Sequence, residues 1–355
     1  MRIKSFDSLR AYGALGVLFA HLPRLGDTAF ARHFDNSLAQ FSIGYILLDM
    51  FFVMSGYLIT SIILKAKEKG TFSFREFYVN RTLRIFPIYY LTILLVAIFI
   101  TTQGLWYPLF YVANYYFALN VHVHPLNHSW SLAVEEHFYL LWPLILTQFS
   151  NSTCKKILLI GVPAITLLTV LIVPHVLPYS NAYEFIILGT TTRWFSISLG
   201  SYLAFNNEWL NNLSRKKVLT IFSITAIVYI IFYLMPVIPF LQDVPKYAKK
   251  VLIVPFISLG VIILWYRLDY ARETLFKKLI VNKVADYIGK MSYGIYLYHY
   301  PILYYFNMVD WQNPITHNAP KYWAMIGLIL ACASLSYHFI ELPLLNMRHR
   351  FYKKK

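Results

Sequence analysis

SLRAYGALGVLFAHL, residues 8–22, forms most of the first apolar segment that is long enough to cross a membrane, residues 7–24. It carries two ionisable side chains, Arg10 and His21, which are costly in hydrocarbon and usually face the interior of a helical bundle. Such residues often mark a site or a pathway. The alternative is that Arg10 extends to one membrane surface and His21 lies at the other end. Either way, the segment indicates a helix that crosses a membrane.

The whole chain has this apolar character. Of its 355 residues, 58% are hydrophobic and 14% are charged, and the mean hydropathy is +0.52. Soluble domains carry about 25% charged residues. Apolar segments near the ~20 residues that a bilayer requires recur at 7–24, 41–64, 85–102, 130–149, 157–175, 184–205, 218–236, 250–266, 286–306 and 322–345. We therefore predict an all-α, polytopic membrane bundle of about ten transmembrane helices, forming a single domain over residues 1–355.

The net charge of +16 follows the predicted topology. If the N-terminus is cytoplasmic, the inner segments hold 23 Lys and Arg residues, and the outer loops hold 6 when Arg24 and Lys250 at the outer ends of their spans are included. Cytoplasmic loops of membrane proteins carry this excess. The distribution predicts that both termini, including the basic tail 348–355, are cytoplasmic. We expect these basic residues to interact with the lipid bilayer and not with nucleic acid.

A second informative stretch is NHSWSLAVEEHFYLLWP, residues 127–143. Glu135 and Glu136 lie inside a predicted span, and adjacent helical residues point about 100° apart. One carboxylate is expected to face a polar cavity and the other a neighbouring helix. Arg193, within another predicted span, could pair with either. Alternatively, either glutamate could form a buried ion pair that only fixes the packing of the helices.

Two further patterns suggest binding of phosphate or metal. Arg81 and Arg84 are three residues apart and share a helix face, an arrangement that suits a phosphate; ordinary cytoplasmic charge is the alternative. His122, His124 and His128 precede the helix that carries the two glutamates. They lack an acid or cysteine at a fixed spacing, so we predict no metal site.

Other polar residues lie within predicted spans. Asp49 is a lone acid in LLDMFFVMSGYLIT (47–60), where Gly56 would allow close backbone approach of another helix. In KMSYGIYLYHYPI (290–302), Lys290 is expected to extend to the membrane surface. Ser292 and Tyr293 follow it in the same predicted helix. Glu341 lies near the inner end of the last span and could pair with a basic loop.

Taken in order, these elements resemble the acyltransferase 3 family of bacterial membrane proteins. The matching segments are residues 7–10 with His21, LLDMFFVMSGYLIT (47–60), RTLRIFP (81–87), HSWSLAVEEHFYLLWP (128–143), MSYGIYLYHYPI (291–302) and FIELP (339–343). The resemblance covers nearly the whole chain. It implies an O-acyltransferase of the bacterial cytoplasmic (inner) membrane, with acetyl-CoA or another acyl-CoA as co-substrate. The expected acceptor is a hydroxyl of a cell-envelope carbohydrate such as O-antigen, exopolysaccharide or lipid-linked saccharide.

The resemblance also implies roles for individual residues. The expected catalytic residues are His21, Glu136, Arg10 and Asp49. The expected acyl-CoA-binding residues are Arg81, Arg84 and Arg10, and weaker candidates for holding the acceptor or an oxyanion are Ser131, Ser292 and Tyr293. The chain departs from the family pattern at His137, where relatives often have Gln.

Several alternatives stay open at this point. His21 could be a general base on the acceptor hydroxyl or could carry the acyl group as a nucleophile, with Glu136 or Asp49 orienting its ring. Many relatives carry an extra extracytoplasmic domain. We expect this chain either to reach its acceptor directly or to use a separate extracytoplasmic transfer partner. The rival functions are a secondary transporter or flippase of an envelope precursor, and a non-catalytic scaffold.

Overall fold

The computed structural model describes residues 3–22, 42–119, 124–234, 246–268, 274–306, 308 and 319–347. Every regular element within these ranges is helical. The α-helices are α1 (Lys4–His21), α2 (Ile43–Glu68), α3 (Phe74–Phe99), α4 (Trp106–Leu109), α5 (Ala113–Leu119), α6 (Trp130–Gln148), α7 (Asn151–Lys156), α8 (Val162–Val176), α9 (Tyr179–Leu188), α10 (Thr190–Phe205), α11 (Asn207–Asn211), α12 (Arg215–Leu234), α13 (Lys246–Leu252), α14 (Val254–Leu268), α15 (Leu275–Ile280), α16 (Lys283–Lys290), α17 (Ser292–Tyr305), α18 (Ala319–Ser336) and α19 (Leu342–Met347). Two π-helical segments, Ile157–Gly161 and Tyr337–Glu341, join α7 to α8 and α18 to α19.

The described part of the chain contains 6 helices that are long and apolar enough to cross a membrane. They are Ile43–Glu68, Phe74–Phe99, Asn151–Val176, Arg215–Tyr233, Tyr247–Leu268 and Pro320–Met347. The prediction of a helical membrane protein is therefore supported. The total of ten spans and the cytoplasmic location of both termini stay predictions, and the basic tail 348–355 lies outside the described residues.

Two of the predicted spans are interrupted helices. Segment 184–205 contains the end of α9 and the whole of α10, which are separated at Gly189 by an extended backbone (φ −67°, ψ 141°). Segment 286–306 is divided between α16 and α17 at Met291. Carbonyl groups released at the first break are bound by side chains: Thr192 donates to the Ile186 carbonyl (2.6 Å) and Arg193 Nε donates to the Ile187 carbonyl (2.5 Å). Interruptions are tolerated at membrane depth when such partners satisfy the backbone.

Helix α2 packs against α1, α6, α10 and α14, which places it in the interior of the bundle. Its closest approach is to α10. A Cβ atom added to Gly56 would lie 2.0 Å from the Ile197 carbonyl oxygen, and one added to Gly200 would lie 1.8 Å from the Val53 carbonyl oxygen. Small residues permit such backbone contact between membrane helices. The close approach predicted at Gly56 is confirmed.

An ion pair also joins α2 to α10. Arg193 Nη1 lies 3.3 Å from Asp49 Oδ2, and both side chains are fully buried. Ser196 donates a second hydrogen bond to Asp49 Oδ1 at 2.8 Å. The sequence suggested that Arg193 pairs with a glutamate of α6. The structure instead pairs it with Asp49 of α2. This pair and the glycine contact hold the same two helices together.

Candidate active site

A cavity of about 660 Å³ opens between α1, α2, α3, α6, α17 and the segment that ends at Glu341. Its lining includes seven of the side chains predicted as site residues: Arg10, Arg81, Arg84, Ser131, Glu136, Ser292 and Tyr293. Those residues come from four helices that are distant in sequence. His21 and Asp49 are not among the lining residues. Asp49 is engaged with Arg193, and its predicted catalytic role stays a prediction.

Three guanidinium groups meet at this cavity. Arg10 Nη1 contacts Asp7 Oδ1 at 3.0 Å, one turn earlier on α1, and Arg10 lies within electrostatic range of both Arg81 and Arg84. The guanidinium of Arg81 lies over the Tyr139 ring, 4.8 Å from its centroid. Like charges gathered in a poorly solvated space repel one another. A bound polyanion would relieve this repulsion, and guanidinium groups bind phosphate bidentately.

Carboxylates line the same cavity. Glu135 and Glu136 both belong to the lining, and both lie within electrostatic range of Arg81. The expectation that only one of them faces a cavity is therefore wrong, because the cavity is wide enough to contact both sides of this part of α6. Glu341 joins them from the π-helical segment. Its Oε1 atom is buried and makes no hydrogen bond within the described part of the chain, while Arg84 interacts with it electrostatically.

Ser131 and Tyr296 mark one end of the cavity. Their hydroxyl oxygens lie 2.5 Å apart, and both residues are in the lining. The Tyr296 hydroxyl also lies 2.8 Å from the His128 carbonyl oxygen, to which it can donate. Tyr293, a predicted oxyanion donor, instead donates to the Ile85 carbonyl at 3.1 Å. The boundary of the cavity is thus a hydrogen-bonded contact between α6 and α17.

A cluster of histidines contacts Tyr296 and is not part of the cavity lining. The ring centroids of His21 and His299 are 5.1 Å apart, and those of His299 and His128 are also 5.1 Å apart. His21 Nδ1 lies 2.9 Å from the Val17 carbonyl oxygen, and His299 Nδ1 lies 2.6 Å from the Tyr296 carbonyl oxygen. The predicted catalytic histidine therefore belongs to a group of three imidazoles, contributed by α1, α17 and the turn before α6.

The sequence reasoning did not select Tyr296 or His299 as site residues. A signal for both was present, because Ser292, Tyr296 and His299 occur at i, i+4 and i+7 and share one face of α17. His128 was considered only as a metal ligand. His124 lies elsewhere, with Nε2 2.9 Å from the Gln103 carbonyl oxygen, and His122 lies outside the described residues. Among the described residues, no group of His, Cys, Asp and Glu side chains is arranged to hold a metal ion.

His137, where the chain departs from the pattern that it resembles, contacts a different part of the bundle. Its Nδ1 atom lies 2.8 Å from the Thr190 hydroxyl at the start of α10, and it does not line the cavity. The side chain is therefore part of the contact between α6 and α10. This position makes His137 a useful control for the histidines of the cluster.

Comparison with known proteins points to one family. The family profile described as an acyltransferase domain matches residues 3–338. The chain is 29% identical over 376 residues to the O-acetyltransferase OatA of Staphylococcus aureus strain NCTC 8325, covering 96% of this chain and 57% of that protein. It is 32% identical over 381 residues to the peptidoglycan O-acetyltransferase OatA of Listeria monocytogenes, covering 96% and 56%. The chain thus spans little more than half the length of these relatives. No solved structure matches.

Proposed function

This chain belongs to the acyltransferase 3 family, and on that premise we propose that it is an integral membrane O-acetyltransferase. It transfers an acetyl group from acetyl-CoA to a hydroxyl of a cell-envelope carbohydrate. The observation that carries the proposal is the gathering of Arg10, Arg81 and Arg84 around one cavity whose opposite end adjoins the cluster of His21, His128 and His299. Transfer from acetyl-CoA needs a site that binds the phosphates of the nucleotide and, next to it, a group such as an imidazole that acts on the thioester.

The cavity suits coenzyme A in size, and its three guanidinium groups suit the phosphates, while the acidic side chains of the lining, Asp7, Glu135, Glu136 and Glu341, contact the other parts of the space. The phosphates would be held by Arg81 and Arg84, since the guanidinium group matches phosphate geometry, with Arg10 further inside. A volume of about 660 Å³ is within the range of roughly 300–1,000 Å³ typical of small-molecule sites. Acetyl-CoA supplies a thioester, which is an activated acyl group. The pantetheine arm would extend past Glu135 and Glu136 toward Ser131 and Tyr296.

His21 is the side chain that we assign to the acyl-transfer step. Because a carbonyl oxygen can only accept, the contact with Val17 fixes the proton on Nδ1 and leaves the lone pair on Nε2. That nitrogen can accept a proton from a hydroxyl or attack the thioester carbonyl itself. Ser131, Ser292 and Tyr293 remain proposed contacts of the acceptor or of the oxyanion. Each of them lines the cavity.

The separation of Arg10 and His21 on α1 supports a proposal for the direction of transfer. Arg10 and His21 are eleven residues apart, or about 16 Å along a helix. We propose that the donor enters from the cytoplasm beside Arg81 and Arg84 and that the acceptor approaches His21 from the outer face of the bacterial cytoplasmic membrane. The charge of the nucleotide prevents it from crossing the hydrocarbon. Peptidoglycan is the first acceptor to test, because one relative is named for it, and a separate extracytoplasmic partner could receive the acetyl group.

Reconstituted protein tests the proposal. The purified chain, in vesicles of sorted orientation, is given acetyl-CoA labelled in the acetyl group on one side and a peptidoglycan fragment or a lipid-linked saccharide on the other. We expect release of free coenzyme A and label in an alkali-labile ester on the carbohydrate. Movement of unmodified saccharide across the membrane, without release of coenzyme A, would favour the transporter or flippase instead.

A further inference from the structure

The rings of His21 and His299 are adjacent. A mechanism in which His21 acts alone gives His299 no role. His299 is 1% exposed, and its Nε2 atom makes no hydrogen bond within the described part of the chain. A buried polar atom without a partner is unfavourable and is uncommon in folded proteins. Next to a proposed active-site imidazole, this atom is available to a polar group of a substrate.

The hydrogen bonds of the two rings give them the same tautomer. In each, Nδ1 faces a backbone carbonyl oxygen, at Val17 for His21 and at Tyr296 for His299. Each Nδ1 must therefore donate, and each Nε2 carries a lone pair. The site thus offers two basic nitrogens on adjacent rings. General acid–base chemistry requires such a nitrogen within about 2.6–3.2 Å of the proton that it takes.

We propose that His299 is a second catalytic base, which activates the acceptor hydroxyl while His21 carries the acetyl group. The inference rests on the proposed function and resolves the choice that the sequence left open for His21. The centroids of the two rings are 5.1 Å apart, so an acyl group carried by His21 and a hydroxyl that attacks it would lie beside the ring of His299.

The reaction then has two balanced steps. First, Nε2 of His21 attacks the thioester carbonyl carbon, so that a C–N bond forms, the C–S bond breaks and coenzyme A leaves as the thiolate. In the resulting acyl-imidazolium, Nδ1 keeps its proton and donates a hydrogen bond to the Val17 carbonyl oxygen. Second, the acceptor oxygen attacks the same carbon while His299 takes the hydroxyl proton. A C–O bond forms, the C–N bond breaks and the proton on His299 is finally released to the thiolate.

The surroundings of His299 support a link between these steps and the donor cavity. The carbonyl of Tyr296 holds the His299 ring, and the hydroxyl of Tyr296 contacts Ser131 at the cavity boundary. On the other side, the ring of His128 lies 5.1 Å from that of His299 and stacks on Tyr300 (5.5 Å between centroids, 25° between planes). The ring of His299 is therefore held in place from both sides.

Rapid-quench kinetics separate the two steps. The variant His299→Asn keeps a donor for the Tyr296 carbonyl but lacks the basic nitrogen, and His299→Ala lacks both. With acetyl-labelled acetyl-CoA and acceptor, we expect His299→Asn to release about one equivalent of coenzyme A at the normal rate and to retain labelled acetyl on His21. Its transfer to the acceptor should fall about 10²- to 10⁴-fold, the usual contribution of a general base. His137→Gln should behave like the unaltered chain.

Each other result has a defined meaning. If folded His299→Asn loses coenzyme A release and transfer equally, or keeps normal turnover, His299 is not a second base. If the unaltered chain transfers acetyl and no His21 adduct forms in any His299 variant, the two-step route is wrong while the proposed function stands. If the unaltered chain neither binds nor cleaves acetyl-CoA, the proposed function itself is wrong. Comparison of His299→Asn with His299→Ala by thermal unfolding identifies any loss due to misfolding.

Discussion

The hydroxyl oxygens of Ser131 and Tyr296 lie 2.5 Å apart and join α6 to α17 at the end of the cavity. This contact separates the arginines from the histidine cluster. In the proposed mechanism, the acyl group of a donor bound among the arginines passes next to these two hydroxyls to reach His21. We therefore expect the contact between them to affect the transfer rate.

Loss of the Tyr296 hydroxyl should slow transfer without weakening the binding of coenzyme A. We expect Tyr296→Phe to lower kcat about tenfold, which is the effect of one buried hydrogen bond, because Ser131 and the His128 carbonyl each lose a partner and keep only the longer contact with each other (3.3 Å). Measurement of kcat and of coenzyme A affinity on the same sample checks this. Tyr298→Phe, which removes the hydrogen bond to Ser336 (2.8 Å) from another face of α17, is the matched control. Equal losses in both variants would contradict a role specific to Tyr296.

Substitution of the cavity arginines should act on the donor. Arg81→Ala and Arg84→Ala should each weaken coenzyme A binding about 10- to 100-fold, the equivalent of a charged hydrogen bond. Arg81→Lys should restore binding only in part, because lysine lacks the planar fork. Isothermal calorimetry with coenzyme A measures the effect, and the exposed Arg215→Ala is the control. Unchanged affinity in the double alanine variant would refute the phosphate role.

The ion pair of Asp49 and Arg193 gives a test of whether Asp49 takes part in the chemistry. Asp49→Asn leaves a buried arginine without a charged partner, and we expect it to destabilise the fold by about 3–5 kcal/mol. The double variant Asp49→Asn with Arg193→Met removes both charges and should recover part of that loss. Thermal unfolding in detergent and acetyl transfer are measured together. A stable but inactive double variant would place Asp49 in the reaction, as the sequence analysis predicts, whereas recovered activity would make it structural.

The contact between α2 and α10 should tolerate no added carbon. We expect Gly56→Ala to lower the unfolding temperature strongly, because the new Cβ would lie 2.0 Å from the Ile197 carbonyl oxygen and backbone cannot move away cheaply. Gly327→Ala is the control, since it adds a Cβ with no atom within 4 Å and should be neutral or stabilising by up to about 1 kcal/mol. Similar unfolding temperatures for the two variants would mean that the helices are not in backbone contact.

The sidedness of the bundle can be tested by labelling single cysteines. In a chain with Cys154 and Cys332 replaced, we expect a cysteine at Lys69 to react with an impermeant reagent only from the cytoplasm. A cysteine at Thr102 should react only from outside, because α3 lies between these positions and is long enough to cross a bilayer. Labelling of both sites from one side would remove the basis for transfer across the membrane.

The sequence by itself determined the class of the protein and much of its site. Apolar segments predicted membrane helices because the bilayer penalises exposed backbone and charge. Polar residues in those segments were therefore rare enough to be identified one by one. Together with the arginines that precede the third span, such residues supplied the candidates, and the resemblance to the acyltransferase 3 family implied which of them act. Arg10, Arg81, Arg84, Glu136, Ser131, Ser292 and Tyr293 all line one cavity.

Only the tertiary structure decided which of those residues meet. Periodicity along one helix says nothing about the rotation of its neighbours, so the pairing of Arg193 with Asp49, rather than with a glutamate, could not be inferred. The same holds for His21, which lies beside His299 and beyond the contact of Ser131 with Tyr296. Backbone contact at Gly56 and Gly200 and the break at Gly189 set these rotations. They depend on packing between helices that are far apart in the sequence, which local patterns do not encode.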